Sequence, residues 1–240
     1  MSARAPSERT YHHGDLAPTL MDLALTHISA EGVQKLSLRA LAREAGVSAT
    51  APYRHFPSKR CLLAALATRG FKQLEDSIRS GGAQALKAAA SESGVVDPLS
   101  PRGLELRLLA AGRAYVAFAQ AEPTTYGIMF GSVIDDFSEY EQLQEAASAS
   151  YAALRETLED LLAIGLGAGL DIDLLGGTIW AGVHGIADLL LSKSAGTMPA
   201  GPTDPARLPE PMRAVSALRG DVDAALTVLC APMLAPGTGG

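Results

Sequence analysis

The chain has 240 residues, 48% hydrophobic and 19% charged, which is the composition of a soluble globular protein able to bury a sizeable core. The net charge of −6 disfavours a nucleic-acid partner only if it is evenly spread, yet residues 1–72 carry ten Lys/Arg against five Asp/Glu. There is no apolar run of roughly 18 residues, no apolar signal core and no disulfide framework, so we expect a cytoplasmic protein with no membrane partner.

Helical periodicity dominates the N-terminal third of the chain. Apolar residues at helical spacing predict a first helix over about 13–31. Ser37 is placed to cap a short second helix, which ends at Gly46 because glycine tolerates the backbone of a sharp turn. Ser48 is placed to cap a third helix that runs to about residue 55, and Ser58 a fourth.

The same periodicity continues through the rest of the chain, and strand signals are scarce. The glycine pair at 81–82 predicts a helix end followed by a mobile connection. Further helices are expected at about 102–121, 124–131, 138–166, 172–194 and 212–233. The sequence therefore predicts an all-α fold.

Two short helices joined at Gly46, the second rich in hydrogen-bond donors, form a helix-turn-helix pattern. In such a motif the second helix offers its side chains to base edges in a major groove, while the first crosses the backbone. Pro52, early in that second helix, removes a hydrogen bond to the Ser48 carbonyl, which is less costly there than deep in a helix. The motif predicts a basic N-terminal domain that binds double-stranded DNA.

The stretch LSLRALAREAGVSATAPYRHFPSKRCLLAAL resembles the DNA-binding region of the TetR family of bacterial transcriptional regulators. The resemblance implies a homodimeric repressor whose N-terminal domains bind a palindromic operator and whose larger C-terminal domains bind a small-molecule effector. The expected division is a flexible basic arm at 1–12, a three-helix helix-turn-helix domain at 13–66, and an effector-binding and dimerisation domain at 67–240.

The resemblance also assigns residues to the DNA interface. Three positions match those that usually touch the DNA backbone in the family: Tyr53, His55 and Lys59. Six more match positions that line the DNA face: Ser37, Arg39, Ser48, Ala49, Thr50 and Arg54. The chain departs from the commoner family pattern at 51–52, where Ala-Pro replaces Gly-Thr-Leu or similar.

The C-terminal half is similar, at EPTTYGIMFG (122–131) and WAGVHGIADL (180–189), to a TetR subgroup with a Trp-x3-His-Gly motif. The resemblance implies that the helices at 172–194 and 212–233 pair with those of a second copy as a four-helix bundle. Aromatic and apolar residues of the central helices, which equally suit a plain core, are the candidates for an effector pocket. These are Tyr115, Phe118, Tyr126, Met129, Phe130, Trp180 and His184.

His184 and Asp188 lie four residues apart on one helix face, the spacing of a metal or ligand pair and also of a structural hydrogen bond. No further ligand cluster accompanies them, so no metal, cofactor or catalytic residue is predicted. Two other classes of protein stay open: an all-α enzyme using His184 with Asp188, and a sequence-neutral nucleoid DNA binder.

Overall fold

The computed structural model describes residues 16–134, 136–167, 170–192 and 210–234, so the predicted arm at 1–12 lies outside the described residues. Within these ranges the chain forms nine α-helices joined by turns and short 3-10 segments, which confirms the all-α prediction. The helices are α1 (Leu16–Glu31), α2 (Leu38–Glu44), α3 (Lys59–Ser93), α4 (Pro101–Ala121), α5 (Pro123–Phe130), α6 (Glu141–Ala163), α7 (Ile172–Leu191), α8 (Glu210–Gly220) and α9 (Val222–Cys230).

The helices α1 and α2 pack against the beginning of α3 through a small apolar core. Leu20, Leu41 and Leu62, one from each helix, are fully buried. Gly46 adopts a positive φ of 70°, as the turn after α2 requires. The N–H of Val47 then donates to the carbonyl of Ala42 at 2.9 Å, which closes the turn.

The predicted third helix, capped by Ser48, is wrong in type and extent. The structure has instead a 3-10 segment over Ala51–Arg54, preceded by a turn. Pro52 has no N–H to donate to the Ser48 carbonyl, which accepts the N–H of Ala51 at 2.9 Å. This i to i+3 bond sets the tighter geometry of a 3-10 turn.

Two serines precede helices as predicted, but only one caps with its side chain. The Ser58 hydroxyl accepts the N–H of Cys61 at 3.2 Å and begins α3. Ser37 stands at the N-cap of α2, yet its side chain makes no capping hydrogen bond. Helix α2 is therefore positioned by its buried apolar face rather than by a side-chain cap.

The expected break at Gly81-Gly82 is wrong, because α3 continues through both glycines for 35 residues. A Cβ added at Gly81 would lie 3.6 Å from the carbonyl of Ala110, so this turn of α3 packs closely on α4. The alanine-rich segment that follows has high helix propensity. At 1.5 Å per residue the helix spans about 52 Å and connects the N-terminal helices with the C-terminal ones.

Two C-terminal boundaries also differ from expectation. The helix expected over 138–166 begins only at Glu141, after a separate 3-10 segment, and ends at Ala163. The helix expected over 212–233 is divided at Asp221, whose carboxylate accepts the N–H of Ala224 at 2.8 Å and starts α9. A capping aspartate after a glycine is a strong signal for a new helix start.

The C-terminal helices surround α3 and α4. Both α4 and α6 pack along α3, while α7 and α9 pack on α4. By length and composition α7 could cross a membrane, with a mean hydropathy of 1.4 over a window that is 33% buried. A single helix of this kind does not establish a membrane span, because the core helix of a soluble protein has the same length and hydropathy.

Candidate DNA-binding surface and ligand cavity

The N-terminal surface displays all but one of the predicted DNA-contacting side chains in exposed positions. These are Ser37, Arg39, Ser48, Ala49, Thr50, Tyr53, Arg54 and His55. Pro52 and Phe56 are buried beneath the 3-10 segment and attach it to the apolar core. The backbone is thus held from below while polar groups point to solvent.

Lys59, the ninth predicted residue, is half-buried at the start of α3. Its ammonium donates to the backbone carbonyl of Gln34 at 3.2 Å, which ties α3 to the segment before α2. Sequence reasoning missed Gln34, since a backbone acceptor carries no side-chain signal. The ammonium also lies near the positive end of α3, where an anion is favoured.

Two carboxylates of this region have side-chain partners. Asp22 accepts from Arg69 at 2.8 Å, and Glu44 lies 2.5 Å from the imidazole of His27. In the part of the chain that the structure describes, Arg39 and Arg54 make neither a hydrogen bond nor an ion pair through their side chains. Their positive charge is therefore available to a polyanion.

A cavity of about 330 Å³ lies among α3, α4, α5, α6 and α7. Among the described residues its lining is aromatic and aliphatic, with three hydroxyl-bearing residues and no charged side chain: Phe71, Leu74, Ile78, Tyr115, Met129, Phe130, Phe137, Ala147, Ser150, Tyr151, Leu154 and Trp180. A smaller void of about 40 Å³ shares Tyr115 and Trp180 and extends to Cys230. The volume of the larger cavity is in the range of small-molecule sites.

The structure brings together four of the seven residues predicted for an effector pocket. Those on the cavity wall are Tyr115, Met129, Phe130 and Trp180. Phe118 instead borders a groove between α3 and α4. Tyr126 and His184 lie next to the cavity in a hydrogen-bonded cluster and do not line it.

That cluster, which we call the His184 cluster, consists of Tyr115, Tyr126, His184 and Asp188. The Nδ1 atom of His184 lies 2.9 Å from the Tyr115 hydroxyl and 2.8 Å from the Tyr126 hydroxyl. Tyr126 also donates to a carboxylate oxygen of Asp188 at 3.2 Å. Burial raises the pKa of both tyrosines, so both remain neutral hydroxyls at physiological pH.

The cluster and the neighbouring Trp180 surround one imidazole. The ring of His184 stacks on Trp180 with centroids 5.0 Å apart and an angle of 19°. Its other nitrogen lies 3.6 Å from a carboxylate oxygen of Asp188. In the described ranges, no three potential metal ligands gather.

Most of the cavity wall was missed by sequence reasoning. Phe71, Leu74 and Ile78 come from α3, and Ser150 with Tyr151 from α6. The α3 residues have the i, i+3, i+7 spacing of one helix face, which is a detectable signal. That spacing indicates a buried face but does not distinguish a cavity wall from a packed core.

Two family models match the chain. The model described as bacterial regulatory proteins, tetR family, matches residues 20–66, and the model described as tetracyclin repressor-like, C-terminal domain, matches residues 108–215. The first contains the turn at Gly46 and the 3-10 segment, and the second contains the His184 cluster. A comparison with curated proteins finds no match.

Solved structures share the fold over most of the chain. A Rhodococcus sp. RHA1 protein of unknown function is 29% identical with a TM-score of 0.63, covering 90% of this chain and 97% of that one. The fatty acid degradation regulator FadR from Bacillus halodurans is 18% identical with a TM-score of 0.60, covering 90% and 96%. The TetR family regulator PfmR from Thermus thermophilus is 20% identical with a TM-score of 0.51, covering 86% and 96%.

Proposed function

Because the chain belongs to the TetR family of transcriptional regulators, we propose that it is a repressor that binds a palindromic operator as a homodimer and is released by a small-molecule effector. The observation that carries the DNA-binding part is the exposure of the polar segment over 48–55 above a buried Pro52 and Phe56. This anchoring presents hydroxyl, guanidinium and imidazole groups to solvent on a fixed backbone, as a groove reader requires.

The proposed division into two domains is supported by the positions of the exposed charges and of the cavity. The region 13–66 is the DNA-binding domain, and 67–240 is the domain for effector binding and dimerisation. The exposed Arg39 and Arg54 support contact with phosphates or bases in the first. The uncharged cavity supports a ligand site in the second.

Dimerisation is supported by apolar surface on two packed helices. Leu174 and Trp180 on α7 and Val228 on α9 are exposed, Val228 to 75%. A Cβ at Gly182 would come within 2.6 Å of Leu229, so α7 and α9 form one closely packed pair. Two such pairs related by a two-fold axis would form a four-helix bundle and place the DNA-reading segments about 34–36 Å apart.

The effector response is supported by the position of α5. Its residues Met129 and Phe130 line the cavity, while the same helix also packs against α1 and α3. A ligand that displaces α5 would move the DNA-binding helices with it and change the separation of the two reading segments. A regulator of this kind would act in the cytoplasm, where its operator DNA would be.

Selection of bound sequences from a random double-stranded DNA pool, at near-physiological salt, tests this function. Recovery of one inverted repeat is the expected result. If the selected DNA contains no motif, and unrelated competitor DNA displaces it from the protein, the chain is a sequence-neutral nucleoid binder instead. A second selection with Thr50→Ala should change the preferred bases, since Thr50 lies on the proposed reading surface.

A further inference from the structure

The chemistry of the cavity wall restricts the ligand's charge. Among the residues that the structure describes, no Asp, Glu, Lys, Arg or His lines the cavity. The carboxylate of Asp188, which does not line the cavity, accepts from Tyr126 and lies beside His184. An ion placed in this cavity would lose its hydration without gaining a counter-charge, which costs several kcal/mol or drives it to its neutral form.

The three hydroxyl groups of the wall differ in what they can offer. Ser150 donates to the backbone carbonyl of Ala147 at 2.8 Å, and Tyr115 is held at His184. Tyr151 is half-buried, and within the described ranges its hydroxyl has no hydrogen-bond partner. A Cβ added at Gly176 would collide with this hydroxyl, so it lies directly on the bare backbone of α7. Tyr151 therefore offers a hydrogen bond at a defined place.

The rest of the wall is shaped by aromatic rings. Phe71 meets Phe130 and Phe137 edge to face, with centroids 5.4 and 6.1 Å away, while Trp180 approaches Phe130 at 6.2 Å. Ring edges and faces in this arrangement suit a flat aromatic guest. An apolar cavity of about 150 Å³ accommodates benzene, so a cavity of about 330 Å³ has room for about two rings.

We propose that this cavity binds an uncharged two-ring aromatic molecule carrying one hydroxyl or N–H group, which hydrogen-bonds to Tyr151. The proposal rests on the effector site proposed above and names the class of its ligand. Affinity comes from the aromatic wall, and Tyr151 orients the guest. Carboxylates and amines of the same shape are excluded by the lack of a counter-charge.

Calorimetric titration of the full chain with four probes of one shape tests the class. The probes are 2-naphthol, 2-methylnaphthalene, 2-naphthoate and 2-naphthylmethylammonium. We expect 2-naphthol to bind most tightly, 2-methylnaphthalene about tenfold more weakly for lack of the hydrogen bond, and both ions at least about a hundredfold more weakly. Tighter binding of either ion, or no binding of any probe, would overturn the proposal.

Variants at two positions locate the guest. Tyr151→Phe should weaken 2-naphthol about tenfold and leave 2-methylnaphthalene within about twofold, because only the former uses the hydroxyl. Gly176→Ala should weaken both by forcing Tyr151 into the cavity, whereas Gly177→Ala, where a Cβ meets nothing within 4 Å, is the matched control. Equal losses of both probes in Tyr151→Phe would overturn the assigned hydrogen bond.

A DNA-release assay separates this proposal from the proposed function. If 2-naphthol binds as expected but never changes affinity for the selected operator, the ligand class stands and the effector role fails. If instead a charged probe of this series releases the operator, the regulatory function stands and the ligand class is wrong.

Discussion

Tyr126 and His184 are joined by a hydrogen bond of 2.8 Å that links α5 to α7 across the edge of the ligand cavity. Their rings are also stacked, with centroids 5.6 Å apart. Because α5 packs on α1 as well, this contact connects the cavity region with the N-terminal helices. In the proposed function, the pair would lie between the ligand site and the DNA-binding helices.

Removing the Tyr126 hydroxyl should destabilise the fold. Tyr126→Phe deletes the bonds to His184 and Asp188 and leaves a largely buried imidazole nitrogen with one partner fewer. We expect a loss of about 1–3 kcal/mol in the free energy of unfolding, measured by urea denaturation. Tyr53→Phe, at an exposed tyrosine, is the control and should change it by less than about 0.5 kcal/mol. If Tyr126→Phe lowers the free energy of unfolding no more than Tyr53→Phe does, the hydrogen bonds of the Tyr126 hydroxyl do not stabilise the fold.

The contact of α3 with α5 should not tolerate a methyl group. A Cβ at Gly70 would lie 2.5 Å from the sulfur of Met129 and 2.7 Å from a methyl of Thr125. We expect Gly70→Ala to cost about 1–3 kcal/mol through overpacking. Gly82→Ala, in the same helix with nothing within 4 Å, should instead stabilise by up to about 1 kcal/mol. Thermal unfolding of both variants compares them directly.

Lys59 should contribute to DNA affinity without contributing to sequence choice. We expect Lys59→Ala to weaken binding to operator and non-operator DNA alike, and to reduce the slope of log K against log salt by about one. Lys72→Ala, at an exposed lysine further along α3, is the control. An unchanged slope for Lys59→Ala, with the fold intact, would remove Lys59 from the phosphate contacts.

The ion pair between Arg79 and Glu156 should make stability fall in acid. The Arg79 guanidinium donates to both carboxylate oxygens of Glu156, at 3.0 and 3.1 Å, and holds the pKa of that carboxyl below its usual 4.5. A lowered folded pKa gives stability that is present above pH 4.5 and is lost as pH falls through the folded value.

Urea denaturation at pH 7 and at about pH 3.5 measures this contribution. Glu156→Gln should be less stable than the parent at pH 7, and the difference should shrink in acid and in high salt. Glu145→Gln, at an exposed position of the same helix, is the matched control for the removal of one carboxylate. A constant difference at all pH values would show that the ion pair is not the cause.

The two cysteines should differ in reactivity. Cys230 is 2% exposed, and burial raises the pKa of its thiol to about 11, so little thiolate exists at pH 8. Cys61 is only partly buried. Labelling with iodoacetamide, followed by peptide mass spectrometry, should modify Cys61 first and Cys230 only when the protein unfolds. Early modification of Cys230 would show that the C-terminal helices open readily.

Local structure was predictable where the backbone chemistry is encoded by neighbouring residues. Gly46 predicts the turn that its positive φ forms, and Ser58 predicts the start of α3 that its hydroxyl caps. The 3-10 segment was also encoded locally, in the missing N–H of Pro52, but the preference for a regular helix obscured it. The continuation of α3 through Gly81 depended on packing against α4, which no local signal reports.

The sequence by itself determined the helical class, the helix-turn-helix motif and the aromatic residues available to a ligand site, because helical periodicity and turn chemistry act over a few residues. Only the tertiary structure decided that Phe71, Tyr151 and Trp180, from three separate helices, face one cavity while Phe118 does not. Periodicity defines which face of a helix is buried. Which face of another helix meets it is set by packing among all of them, and that packing also determines whether the space between is filled or left open to a guest.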